Sequence, residues 1–201
     1  MPTAANIAKI NGIVFSGAAA ASDAHTLIAT ATASASATLS FTLGLDSLFD
    51  AYEFRFMNMH PASSNQPFGF QVNAAGASGF NEVMTTTAFQ AWHTENNSGA
   101  ALGYETGIDQ AQGTAYQVLT TGVGNDNDSA ASGILTLYAP SSTTYVKHFT
   151  SRLQASSSVG SVEKYIAGYI NVTAAIDEIS FKFSSGNIDA GVIKMYGIAK
   201  A

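Results

Sequence analysis

Few side chains in this 201-residue sequence can move a proton, attack a substrate or hold an ion. The four histidines titrate near neutrality without help from their surroundings. His25 lies in a small-residue tract, His60 precedes Pro61, His93 follows Trp92, and His148 stands between Lys147 and Phe149. None falls in a catalytic or metal-binding spacing, so each is expected to be packed or at the surface rather than reactive. The local acidic pairs are Asp46 with Asp50, Asp126 with Asp128, and Asp177 with Glu178. A glycosidase needs two carboxyl groups about 5–9 Å apart across one bond. The first pair reads instead as the cap of a helical turn, and the third as neighbours pointing to opposite faces of a strand. The run Asn125-Asp-Asn-Asp128 sets side-chain oxygens at successive positions of a Gly-flanked loop, which makes Asp126 and Asp128 candidate calcium ligands. The EF-hand spacing and its distal Glu are missing, and a polar turn is the preferred reading. Trp92 is the candidate binding group, with Phe89 and His93 beside it and Asn96 and Asn125 in loops, because an aromatic face can stack on a sugar or a partner. Its competing role is core packing. The sequence has no cysteine, which removes disulfides, thiol catalysis and thiolate metal sites. No catalytic residue, metal or cofactor is expected.

The elements that would carry these residues are short strands. Large apolar residues alternate with polar ones, and Gly, Asn, Ser and Pro clusters recur between the runs, the pattern of half-buried β-strands joined by turns. Strands are expected over 38–43, 52–60, 68–73, 86–93, 115–120, 133–138, 145–154, 164–173, 178–183 and 192–198, with one helical turn over 45–50 capped by Asp46. The last two strands read as a closing hairpin through Ser184-Ser-Gly-Asn187. Ten strands with little helix and no internal repeat imply an all-β chain, an antiparallel β-sandwich of jelly-roll type. Residues 1–36 differ: tracts such as Ala29-Thr-Ala-Thr-Ala-Ser-Ala-Ser36 are rich in Ala, Ser and Thr. They read as an extended N-terminal arm, 1–36, ahead of a sandwich domain, 37–201. The alternative is that 26–32 is a strand of the same domain.

Composition narrows the function. Charged residues are 11% of the chain, against about 25% in an ordinary soluble domain. Mean hydropathy is +0.13. Such a surface packs against neighbours without stranding charges in low dielectric, which favours a member of a large assembly. The net charge of −6, with scattered Lys and Arg, argues against nucleic acid as a partner. No apolar run is long enough for a membrane-spanning helix. The N-terminus lacks the basic start and apolar core of a secretory signal, so synthesis in the cytoplasm is expected.

The C-terminal run, Ser184-Ser-Gly-Asn187 followed by Gly191-x-Ile-x-x-Tyr-Gly-Ile198, resembles the ending of a family of tailed-bacteriophage structural proteins. The resemblance extends upstream to Phe49-Asp-Ala-Tyr-Glu-Phe-Arg-Phe-Met-Asn-Met-His-Pro61, Phe68-Gly-Phe-Gln-Val-Asn73 and Ser132-Gly-Ile-Leu-Thr-Leu-Tyr-Ala-Pro-Ser141. The Ala/Ser/Thr-rich start has no counterpart. The resemblance implies a non-enzymatic virion protein, localised on the particle surface. Head decoration, with the arm threading between capsid subunits as a cement, is the first expectation. Its implied partners are copies of the chain, as a homotrimer, and the major capsid protein. The alternative is a tail fibre or receptor-binding module in which loops around Trp92, Asn96 and Asn125 meet a host glycan. A cell-encoded adhesin is a third, weaker reading.

Overall fold

Alternation of side-chain size sets the strands. Along residues 147–155, Lys147, Phe149, Ser151, Leu153 and Ala155 are buried while His148, Thr150, Arg152 and Gln154 face out, the two-residue period of a strand with one dry face. The computed structural model describes residues 8–10, 13–15, 24–157 and 160–199. In chain order the strands are β1 (Ala8–Ile10), β2 (Ile13–Phe15), β3 (His25–Thr32), β4 (Leu39–Phe41), β5 (Ala51–Pro61), β6 (Gln66–Ala74), β7 (Met84–Thr94), β8 (Ala100–Tyr104), β9 (Ala111–Gly113), β10 (Gln117–Val123), β11 (Ala131–Tyr138), β12 (Lys147–Ser157), β13 (Gly160–Ile170), β14 (Ile176–Phe183) and β15 (Ile188–Ile198). There is no helix among the described residues.

Two antiparallel sheets pack face to face. The smaller has the order β10-β6-β14-β4; the larger runs β3-β15-β5-β11-β12-β13-β7-β8, with β9 also paired to β7. β1 and β2 form a separate two-stranded ribbon. The core between the sheets is aromatic. Phe181 of β14 sits 5.4 Å from Phe54 and 5.2 Å from Phe56 of β5, centroid to centroid, with Phe41 and Phe68 at 6.3 and 6.2 Å. Phe70 of β6 meets Phe149 of β12 edge-on at 4.9 Å. Edge-to-face pairs of this kind add to the stabilisation from burial alone.

Three expectations change in the structure. First, the closing strands are not a hairpin: β14 lies in the small sheet and β15 in the large one. The turn at 184–187 carries the chain from one sheet to the other. Ser184 N–H donates to the Pro67 carbonyl at 2.8 Å, Ala62 N–H to the Asn187 carbonyl at 3.0 Å, and Gly186 has φ +73 with Ser63 where a Cβ would go. Turn chemistry looks the same for a hairpin and for a sandwich corner. Second, residues 45–50 form bends rather than a helical turn. The Asp46 carboxylate accepts from Leu48 N–H at 2.8 Å and from the Tyr52 hydroxyl at 2.7 Å. It therefore caps a loop and anchors Tyr52 of β5, whose phenol burial pushes up to about 12. Third, the arm boundary at residue 36 moves. β3 pairs along β15 from Ile198↔His25 to Val192↔Thr32, and Ser36 N–H donates to the Ile188 carbonyl at 2.9 Å. Residues 25–36 thus belong to the sandwich, because interleaved Thr and Ala make an extended segment whose unpaired backbone is satisfied at a sheet edge. Expected residues 1–7, 11–12 and 16–23 of the arm lie outside the described residues.

Candidate functional site

Strand parity decides what Trp92 can join. On β7, Phe89, Ala91 and His93 point outward, whereas Gln90, Trp92 and Thr94 continue the line of Met84, Thr86 and Ala88 that faces inward. The patch expected from Trp92, Phe89 and His93 is therefore split between two faces. Trp92 lies opposite Val162 of β13 and Ala101 of β8. Half-buried, its ring rests against Gly99, where an added Cβ would come within 3.1 Å of it. It lines an apolar hollow of about 320 Å³ with Gln90, Thr94, Ser157 and Val162, which His93 also borders. By parity the His93 side chain points to the other face, where a second depression is bordered by His93, Ala100, Ser161 and Glu163 and also by Trp92.

The loops beyond Trp92 do gather at one end of the sandwich. Asn96 is exposed in the β7–β8 turn, where its Oδ1 accepts from Ser98 N–H at 3.0 Å. Asn125 is exposed at the start of the loop from β10 to β11. Glu95 of the first loop and Asp126 and Asp128 of the second line one depression of about 240 Å³ with Ser129 and Ser156. Among the described residues no group of three or more His, Asp or Glu side chains converges as a metal ion requires.

The histidines stand apart from one another. His25 Nε2 is 3.7 Å from Glu53 Oε2, His60 Nδ1 is 2.7 Å from the Ser129 carbonyl, and His148 packs edge-on to Tyr169 at 6.4 Å. His93→Gln and His148→Gln are therefore expected to shift stability by less than about 0.5 kcal/mol. His60→Gln should lose about 1 kcal/mol with its hydrogen bond. Urea melts of the three variants check this ordering.

The surface with the most unusual chemistry is the outer face of the large sheet. Register brings residues from seven strands into one row: Tyr104 opposite Phe89, Phe89 opposite Tyr165, Tyr165 opposite Arg152, Arg152 opposite Ile134, Ile134 opposite Arg55, and Arg55 opposite Lys194. At the usual strand spacing the row spans about 29 Å. Phe89 and Tyr165 stack at 4.7 Å with their planes 5° apart, and the Arg152 guanidinium lies over Tyr165 at 5.3 Å. Arg55 likewise covers Tyr196 at 4.8 Å. Both arginines are paired, Arg55 with Glu53 and Arg152 with Glu163, which leaves Lys194 as the cation of the row without an ion pair among the described residues. Tyr104 is 56% exposed, Leu102 74% and Phe89 44%. β8, exposed along its whole length, ends the sheet beside them. Exposed aromatic side chains next to an open strand edge are what proteins usually cover.

Sequence reasoning missed this row, since its members are scattered over residues 55–194 and only the pairing register unites them. The visible signal was parity: Phe89 is two residues from Ala91 and three from Trp92, so it could not share a face with the tryptophan. Sequence reasoning also passed over a polar cluster around a buried lysine on the inner side of the same strands. Lys164 of β13, 1% exposed, directs its Nζ at Gln90 Oε1, 2.6 Å away, and at Glu105 Oε2, 3.3 Å away.

With this geometry in hand, comparison with known proteins gives no assignment: no protein-family model, no curated protein and no solved structure matches the chain. What the fold and surface define is an all-β antiparallel sandwich with an aromatic outer face.

Proposed function

We propose that this chain is a non-enzymatic structural protein on the surface of a tailed-phage particle, most simply a head-decoration or cement protein. The observation that carries the reading is the outer face of the large sheet, where Tyr104, Phe89 and Tyr165 stand in one row with the ion-paired Arg152 and Arg55, set beside an exposed edge strand. Surfaces of this kind bind by burying apolar area and adding backbone hydrogen bonds, and they need no reactive group. The resemblance of residues 45–200 to tailed-phage structural proteins supplies the setting. In this reading the segment before His25 grips neighbouring subunits, copies of the chain associate as a homotrimer by analogy with phage appendages, and the major capsid protein is the lattice partner.

A chain starting at Ala24 is expected to keep its β-sheet circular dichroism, since β3 and its pairing with β15 remain. Its particle-bound fraction should fall at least about tenfold, equivalent to about 1.4 kcal/mol. The double variant Phe89→Glu/Tyr104→Glu should fall similarly while remaining folded. Full occupancy by both would refute the proposal. One observation favours the tail receptor-binding alternative: the half-buried Trp92 ring over an apolar hollow. In that case Trp92→Ala would abolish glycan binding and leave attachment intact.

A further inference from the structure

We propose that Lys164 and Gln90 form a spontaneous intramolecular cross-link, an amide between the lysine Nζ and the glutamine Cδ, with Glu105 as the proton carrier. The two residues are directly opposite in the β13–β7 register, so their side chains leave adjacent strands from facing positions. Nζ is 2.6 Å from Gln90 Oε1. The carbonyl carbon lies one bond of about 1.23 Å further on, hence no more than about 3.8 Å from the nitrogen, close to the roughly 3–3.5 Å of a near-attack arrangement. Glu105 Oε2 is 3.3 Å from the same nitrogen, and its backbone is held by a hydrogen bond from Glu105 N–H to the Ala88 carbonyl at 2.9 Å.

Burial pulls the Lys164 ammonium below the ordinary lysine range, against the opposing pull of Glu105, which enlarges the share of neutral amine that can act as a nucleophile. The step balances without an oxidant or co-reactant. The Nζ lone pair attacks Cδ, Glu105 takes a proton from Nζ and delivers it to Nε2, the Cδ–Nε2 bond breaks, and ammonia leaves. One C–N bond forms and one is lost. Gln90 also lines the open hollow beneath Trp92, which gives ammonia a way out. Lys147 supplies the contrast. It is as deeply buried, but its Nζ faces three backbone carbonyls and no side-chain amide or carboxylate. An amide between β7 and β13 would clamp the end of the large sheet that carries the aromatic row. The proposal stands apart from the virion reading.

The test is peptide mapping by mass spectrometry on the purified full-length chain, held folded at neutral pH. Gln90- and Lys164-containing peptides are expected to appear joined, lighter than their sum by one ammonia, with trypsin failing to cut after Lys164. In Glu105→Gln the linked fraction should form at least about 100-fold more slowly, the scale of general acid–base assistance. Quantitative recovery of the two peptides unlinked from aged wild-type protein overturns the cross-link, and equal rates in Glu105→Gln overturn the role given to that residue.

Discussion

Phe181→Ala is expected to destabilise the protein by about 3–5 kcal/mol, the range for truncating a fully buried aromatic. Phe181 touches five other phenylalanines, 41, 54, 56, 68 and 70, drawn from both sheets. No single neighbour can move into the space it leaves, so the cavity term adds to the lost transfer energy. Against a typical total of about 5–15 kcal/mol, the loss is a large fraction. Lys182, the next residue, is the control. Its Nζ lies 4.2 Å from the Tyr116 ring centre on the outward side, a contact worth about 0.5–1 kcal/mol. Denaturant melts should therefore separate Phe181→Ala from Lys182→Ala by about 2 kcal/mol or more. Equal losses would mean that β14 does not present its phenylalanines to the core.

Lys147→Met is expected to cost about 2–4 kcal/mol, although methionine preserves the apolar stem. The Lys147 ammonium is fully buried and donates to the carbonyls of Val172, Thr173 and Ala174 at 3.1, 2.8 and 2.5 Å. All three of its protons are matched, so the cost of desolvating the charge is offset by charge-assisted hydrogen bonds. Methionine leaves the carbonyls without that donor and releases the link between β13 and β14 from the start of β12. Amide exchange over 172–176 should rise in the variant beyond the change in global stability. Unchanged exchange there would show that the lysine does not anchor the link.

Much of the sandwich was legible because burial follows the two-residue period. Phe181 with Phe183, and Tyr52 with Phe54 and Phe56, announce their inward face in the sequence itself. β3 was harder to read: His25–Thr32 has only Leu27 and Ile28 as large apolar residues, and what holds it is backbone pairing at a sheet edge, which leaves little trace in side-chain pattern. β8 and β9 were missed for the same reason, being short, exposed and poor in β-branched residues. The hairpin error at 184–187 arose because a turn residue reports local φ and not which sheet the next strand joins. At the candidate site, Trp92 and the two loops stand out in the sequence by residue type alone. The aromatic row and the Lys164–Gln90–Glu105 cluster depend on register between distant segments, and nothing local in the sequence specifies that register.

The most direct test of the proposed virion role is quantitative peptide mass spectrometry of density-purified phage particles from lysates in which this chain is expressed. A surface structural protein should co-purify with the particles and resist removal by washing. As head decoration, its copy number should be commensurate with the capsid lattice rather than with the few positions of a tail tip. Recovery of the chain entirely in the soluble fraction, with none bound to particles, would contradict the account.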